Sequence, residues 1–512
     1  MMCRRLTIEY LQVSRQFRSF VRLVLGGSTC IAAITSLYAQ QTAQIKIQWD
    51  KTVMISKSTP TLQVVVNPLL RPGEPLSAAS YKALKELGAD YVRYVPWLPY
   101  PRLAVAELEP PTPQKTSWDF SVIDPMTKDF FAATEGHSTV MNFSTMPTWL
   151  FKTDKPVTYP ADPNAPFWNY TQGTELRDPT GKEVSDYYER LVSWYVKGGF
   201  TDENGVRHES GYHYKLPIWE VLNEVDAEHS MTPEDYTRRY DFIVEGIHRA
   251  SPTTKFMGLA LAAPRDRPDF FEYFLNPANH KPGIPLDYIS YHFYATPTRS
   301  QTIDDWQYTF FDQAEGFLST VRYAESIRKR LSPTTKTDLN ELGVILPTDN
   351  TAADKVPPPA GYYNLAGSLY AYLYIELLRL QIDVIGESQL VGYPTQYPSV
   401  SMMDWITNKP NPRFWVLKLI KDNFHPGDKI VDTNLGGPAS GEVEAQAFIT
   451  PAGHKLLLAN KRNQAIEIKF PDAQNASALT VDESTGDEPP AKMKLVDSRI
   501  VLNPFSVMVI SW

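Results

Sequence analysis

Leu216-Pro217-Ile218-Trp219-Glu220-Val221-Leu222-Asn223-Glu224 is the stretch that decides the fold. It opens as a mostly apolar β run and stops on two polar side chains. A second run, Asp338-Leu339-Asn340-Glu341-Leu342-Gly343, carries the same Asn-Glu pair 117 residues later. In a (β/α)8 barrel the chemistry collects at the carboxyl ends of the strands, and a unit takes about 31 residues or more. Three such units fit the gap. The two pairs then end strands four and seven, which face each other across the barrel mouth.

Working outward, β runs fall at 61–67, 90–95, 138–144, 216–223, 255–261, 287–293, 337–341 and 382–387. Helical stretches separate most of them. One covers 77–87 with Gly88 as its stop, and others cover 125–134, 182–196 and 362–380. The helix after strand four is marked by Thr232 as cap, Pro233 at its first position, and an apolar stripe of Tyr236, Tyr240, Ile243, Val244 and Ile247. The expected class is α/β: a (β/α)8 TIM barrel over residues 61–427. A doubly wound sheet would show a Gly-rich turn after its first strand, and Pro68-Leu69-Leu70-Arg71-Pro72 is not one. From Asp428 the rhythm changes to short β runs at 445–450, 454–459, 465–470, 478–482 and 506–512, without helical period. Residues 428–512 therefore read as a C-terminal antiparallel β-sandwich domain. The segment 40–60 holds a strand at 44–49 that can join it.

A chain of 512 residues, 43% hydrophobic and 21% charged, is large enough for a barrel plus a smaller domain and is not disordered. Its net charge of -8, with no long Lys/Arg run, argues against nucleic acid as a partner. The only cysteines are Cys3 and Cys30, so a chain starting near residue 40 has no disulfide and no Cys nucleophile. No His-Glu-x-x-His or Gly-x-Ser-x-Gly occurs, so no metal site or serine nucleophile is indicated, and no cofactor is expected.

Converging carboxylates are what glycosidic cleavage needs: one protonated to serve the leaving oxygen, one ionised to attack or to activate water. Glu224 and Glu341 are the candidates. Glu387, at the end of strand eight, is the rival to Glu341. Glu220 lies deeper in strand four and reads as a buried structural acid.

Trp219-Glu220-Val221-Leu222-Asn223-Glu224 resembles the acid/base strand of the clan A glycoside hydrolases. Asn142-Phe143-Ser144-Thr145-Met146-Pro147-Thr148-Trp149-Leu150 is similar to the third-strand end of glycoside hydrolase family 39, which includes β-xylosidases and α-L-iduronidases. Leu286-Asp287-Tyr288-Ile289-Ser290-Tyr291-His292 resembles that family's sixth strand, and Asn340-Glu341 falls where its nucleophile strand should be. The resemblance covers about residues 61–423. It implies a retaining mechanism on an oligo- or polysaccharide, with Glu224 as general acid/base and Glu341 as nucleophile. It further implies that Asn223 bonds the sugar hydroxyl beside the reacting carbon, and that His292 and Tyr294 contact the sugar and the nucleophile. Arg93, ending strand two, can hold Glu341 ionised. Two positions depart from the pattern: Val225 stands where Pro often follows the acid/base, and Leu342 where an aromatic often follows the nucleophile. They leave the sugar open, so an endo-glycanase or a β-glucuronidase of the same clan stays an alternative, as does a non-catalytic carbohydrate-binding barrel.

Several candidates have a plain structural reading beside the functional one. His292 can be a satisfied structural histidine and Arg93 a paired barrel filler. Trp405, after strand eight, can stack on a sugar ring or sit in the core, and Trp97 and Trp149 share that ambiguity. The oligomeric state is not readable.

Residues 1–39 read as a signal peptide. Arg4, Arg5, Arg15 and Arg18 form a basic start, a mostly apolar stretch runs over 23–37, and Leu37-Tyr38-Ala39 offers a cleavage site. The apolar stretch is short for a bilayer span, with retention as an anchor the alternative. Cleavage removes five Arg and one Glu, taking the charge from -8 to -12, and places the protein outside the cell or in the periplasm with no stable membrane insertion. N-terminal sequencing of exported protein should start near Gln40; an intact leader on a soluble cytoplasmic pool would refute this.

Overall fold

The computed structural model describes residues 42–168, 174–347, 349, 357–393 and 398–512. The expected leader, with Cys3 and Cys30, lies outside the described residues.

Eight parallel strands close into a barrel in sequence order: Thr59–Val66, Val92–Pro96, Thr139–Met141, Ile218–Glu220, Lys255–Leu261, Tyr288–Ala295, Lys336–Val344 and Val384–Glu387. The last pairs with the first, Glu387 opposite Leu62. These strands are buried almost throughout, as expected where helices cover one face and the barrel interior fills the other. Strand four is shorter than its apolar run. The ladder stops at Glu220 because Leu222 and Glu224 adopt φ of 65° and 42°, in the left-handed region.

The helix Pro233–Ala250 starts as its sequence demands. Thr232 Oγ1 accepts from the Asp235 N–H at 3.1 Å, and Pro233 needs no partner at the first turn. Its apolar stripe packs toward the barrel, and its flank meets the helix Lys182–Val196 at Gly246. A Cβ there would overlap the Ser185 carbonyl oxygen, so the two helix backbones are this close only because residue 246 lacks a side chain. The 29-residue helix Ile303–Leu331 follows strand six behind a capping box of Thr302 and Asp305.

Nine strands hydrogen-bond into one curled sheet, in the order Ala491–Lys494, Ser477–Val481, Val507–Ser511, Gly453–Asn460, Val443–Thr450, Lys429–Gly436, Thr42–Ile55, Ile466–Lys469 and Arg499–Leu502. All pairs are antiparallel except Thr42–Ile55 with Ile466–Lys469. Lys429–Gly436, Ala491–Lys494 and Arg499–Leu502 escape the sequence reading. The second is exposed along its whole length, and the others alternate or mix apolar with polar residues. One face of the sheet encloses its own core, with Leu456, Leu458, Met508 and Ile510. Leu457, Val507 and Val509, one residue out of phase, belong to the barrel's core. The helix Tyr362–Arg379 sits between: Ser368 Oγ donates to the Asn460 carbonyl at 2.7 Å, and Arg379 to the Ala445 carbonyl at 2.8 Å. Burial on both sides explains why that helix is apolar nearly all round. Among the described residues no helix is long and apolar enough to cross a membrane.

Gly246→Ala forces the Lys182–Val196 and Pro233–Ala250 helices apart. Urea unfolding should show a loss of about 1–3 kcal/mol, the usual range for overpacking; an unchanged midpoint would mean that the pair can spread freely.

Candidate active site

Along strand two, Arg93 points into the barrel while Tyr94 points out onto Phe130. The buried Arg93 guanidinium uses four of its five N–H groups. Nε donates to Glu220 Oε2 at 2.5 Å, one terminal nitrogen to Gln63 Oε1 at 2.6 Å and Glu341 Oε1 at 2.5 Å, and the other to Asn223 Oδ1 at 2.6 Å. Burial works against its charge, but the Glu220 and Glu341 carboxylates outweigh burial and raise its pKa. Glu220 is wholly buried and also accepts from Asn142, from Ser290 Oγ at 2.5 Å and from Asn340 Nδ2 at 2.7 Å.

Glu341 reaches the mouth through a β-bulge. Strand seven pairs with strand six in register at Asp338–Ser290, shifts, and resumes at Glu341–His292. The extra residue lets Asn340 and Glu341, neighbours in sequence, both face inward: Asn340 onto Glu220, Glu341 into the cavity above. On strand four the left-handed residues Leu222 and Glu224 bring Asn223 and Glu224 to the same cavity.

His292 and Tyr294, on alternate positions of strand six, complete the centre. His292 Nδ1 lies 3.1 Å from Glu224 Oε1, and its Nε2 lies 3.6 Å from Glu341 Oε1. One ligating atom each from Glu224, His292 and Glu341 fall within 4.8 Å of one another. Such a trio could suit a cation by distance, but both Glu341 oxygens already accept hydrogen bonds, Oε1 from Arg93 and Oε2 from the Tyr294 hydroxyl at 2.6 Å. Gln63 Nε2 donates to Ser388 Oγ at 2.8 Å, and Ser388 lies 2.5 Å from the Tyr294 hydroxyl. Since Tyr294 gives its proton to Glu341, the relay runs Gln63 to Ser388 to Tyr294 to Glu341.

The two carboxyls are thereby separated in acidity. Burial would raise Glu341, but the positive charges of His292 and Arg93, with the Tyr294 and Arg93 hydrogen bonds, outweigh it, and its pKa falls below the ordinary value. For Glu224, burial wins over the His292 contact, the Glu341 charge adds to it, and the pKa rises. His292 is disfavoured as a cation by burial, yet the Glu341 and Glu224 charges raise its pKa.

The cavity is partly open to solvent. Val65, Val95, Ile345 and Val400 give it apolar walls. Trp97 and Tyr393, stacked with centroids 4.6 Å apart, form an aromatic rim that Trp168 meets edge-on.

The structure therefore brings together Arg93, Asn223, Glu224, His292, Tyr294 and Glu341. Trp405 is not with them, and the expectation that it lines this site is corrected. The turn after strand eight, bridged at Met403–Pro410, carries it to a separate cavity beside Tyr363 and Ile406, with Nε1 donating to Ser401 Oγ at 3.2 Å. Trp149 donates to the Glu107 carbonyl and lies under Arg177. Glu387 accepts from buried Arg413 at 2.9 Å and does not line the cavity, so it is no rival to Glu341; burial pushes its pKa up to about 7. Sequence reasoning missed Glu228, which does line the cavity. Its N–H donates to the Glu224 carbonyl at 2.7 Å, one helical turn on, and that four-residue spacing was the available signal.

No family model matches this chain, and no curated protein matches it. Solved structures do. A family 51 (GH51) arabinofuranosidase from Xanthomonas axonopodis pv. citri is 12% identical over 92% of this chain and 100% of its own, with a TM-score of 0.62. An α-L-arabinofuranosidase from Thermotoga maritima, solved with arabinose, is 16% identical over 92% and 99%, at 0.58. A family 30 (GH30) endoxylanase from Clostridium papyrosolvens C71 is 13% identical over 91% and 99%, at 0.52. At these identities the likeness is one of fold, a TIM barrel joined to a β domain.

Carboxyl carbon NMR should place Glu341 below and Glu224 above the ordinary Glu pKa of ~4.3, with Glu341→Gln and Glu224→Gln assigning the signals. The sign for stability follows. The depressed Glu341 contributes stability that is present above its unfolded pKa and is lost as pH falls through its folded one. Tyr294→Phe removes a donor and should move the Glu341 titration upward; no movement would mean that Tyr294 does not act on it.

Proposed function

We propose that this chain is an exported retaining glycoside hydrolase of clan A, with its sequence motifs most similar to family 39. The observation that carries this reading is the meeting of Glu224 and Glu341 over His292, with oxygens within 4.8 Å and acidities driven apart. Retaining glycosidases hold their carboxyls about 5–5.5 Å apart, whereas inverting ones leave about 6.5–9.5 Å for a water.

In the first step ionised Glu341 attacks the anomeric carbon while protonated Glu224 gives its proton to the departing oxygen. A glycosyl ester on Glu341 forms and the aglycone leaves as an alcohol. In the second step Glu224, now ionised, takes a proton from water, whose oxygen attacks the same carbon and frees Glu341. Arg93 and Tyr294 hold the nucleophile ionised and aimed. His292 orients Glu224 and cushions the charge that appears when its proton is lost. Asn223, fixed by Arg93, presents its amide to the hydroxyl beside the reacting carbon. The substrate is an oligo- or polysaccharide met outside the cytoplasm, and the fold neighbours, an arabinofuranosidase and an endoxylanase among them, are in keeping with it.

A panel of aryl glycosides tests the activity, and two variants test the roles. Glu341→Ala should lose nearly all turnover on every substrate. Glu224→Ala should slow about 10²–10⁴-fold on poor leaving groups and far less in the first step with acidic phenols. Azide should restore turnover in both, giving a product of retained configuration with Glu224→Ala and inverted configuration with Glu341→Ala. A swapped pattern would reverse the roles. Carbohydrate binding without turnover on any glycoside would make the barrel a binding protein.

A further inference from the structure

Glu228 is a third carboxyl in the cavity and has no part in the two-step chemistry. It stands one helical turn beyond Glu224, and its Oε1 accepts two N–H groups. Trp97 Nε1 donates at 2.5 Å, and Asn223 Nδ2 donates at 3.0 Å. Asn223 is itself fixed, because its Oδ1 accepts from Arg93 and its amide can face only one way. Oε2 is shielded from solvent and has no hydrogen-bond partner. A buried carboxyl oxygen without a partner is costly unless a ligand supplies one.

We propose that Glu228 is a specificity-determining residue: its Oε2 meets a hydroxyl of the sugar ring seated over Glu341, on the edge that Asn223 reads, and so selects a neutral glycoside. This rests on the glycosidase reading above. An oxygen that accepts two N–H donors acts as the carbonyl oxygen of a protonated carboxyl, which leaves the proton on Oε2. Burial, then the nearby Glu224 charge, push the Glu228 pKa well up, which agrees with that placement. A hydroxyl suits the vacant group, since it can accept from Oε2–H and still donate elsewhere. A sugar carboxylate suits the cavity poorly. Glu224, Glu228 and Glu341 already line it, and among the described lining residues there is no Lys or Arg. Arg93, beneath, is committed to Glu220, Glu341, Gln63 and Asn223. A uronate would enter desolvated and without a counter-charge.

The test is kcat/KM on 4-nitrophenyl pentosides, hexosides and uronides, followed by the 2-deoxy and 3-deoxy forms of the best substrate. The wild type should favour a neutral sugar over the matching uronide by at least about a hundredfold. Glu228→Ala should lose about tenfold to a hundredfold on the parent sugar and almost nothing on one of the two deoxy forms. Glu228→Gln, which offers an N–H where the protonated acid offers an O–H, should recover most of that loss. If Glu228 only tethers Trp97, the Ala variant loses equally on the parent and both deoxy substrates, and the proposal is overturned. A wild-type preference for uronides overturns it as well. A wild type inactive on every glycoside sinks the glycosidase reading itself, whereas an active one without the hydroxyl coupling sinks this inference alone.

Discussion

The site depends on one buried cation. Arg93 sits on the barrel axis below the mouth, out of reach of water, and no isolated guanidinium is tolerated there. Its stability comes from what surrounds it: Glu220 and Glu341 as ion-pair partners, and the oxygens of Gln63 and Asn223. Each partner is in turn constrained by the cation. Glu220 gathers strands two, three, four, six and seven through Arg93, Asn142, Ser290 and Asn340. Losing either member of such a buried pair leaves the other charge stranded, at a typical cost of about 3–5 kcal/mol. The network beneath the cavity therefore also helps to lower the pKa of the Glu341 carboxylate above it.

That dependence explains how one polar cluster serves both fold and chemistry. Glu220 takes the side of Arg93 facing down and Glu341 the side facing up. The lower carboxylate is saturated with donors and has no reason to react. The upper one keeps a face toward the cavity, although its oxygens are stabilised by Arg93 and Tyr294. The nucleophile role proposed for Glu341 needs a lowered pKa and an open approach.

Much of this was legible in the chain. The two Asn-Glu pairs could be read because barrel strands are continuous apolar runs, so a polar pair at the carboxyl end stands out, and the spacing of Glu224 and Glu341 follows from unit length. His292 and Tyr294 are implied by the family resemblance of the sixth strand, and Arg93 by its place in the second β run. What escaped lies where periodicity carries no signal. The position of Trp405 depends on the turn closed by the Met403–Pro410 bridge, and loop direction is not written in hydrophobic rhythm. Glu228 sits in a short turn, where an acid looks like any solvated residue unless its four-residue spacing from Glu224 is read. The strand Ala491–Lys494 is exposed throughout, so its sequence has no buried face to show. The apolar run 216–223 overstated strand four because the backbone at Leu222, not hydrophobicity, ends the ladder.

The local geometry gives different surroundings to two Glu residues that look alike in sequence, each following Asn at a strand end. Strict alternation would turn one member of each Asn-Glu pair away from the cavity. On strand seven the bulge between Asp338 and Glu341 keeps the chain extended while rotating Glu341 inward, so its carboxylate stays low, beside Arg93, with 9% of the side chain exposed. On strand four the left-handed residues Leu222 and Glu224 turn the chain out of extended geometry, while the Glu224 N–H still donates to the Ala260 carbonyl at 2.9 Å. Glu224 has 23% of its side chain exposed and no bond to Arg93, and among the described residues its side-chain polar contact is His292. Burial works to raise both carboxyls: at Glu341 His292 and Arg93 outweigh it and the pKa is lowered, whereas at Glu224 it outweighs the His292 contact and the pKa is raised. Two irregularities of the backbone, a bulge and a pair of left-handed residues, place otherwise equivalent side chains in different surroundings.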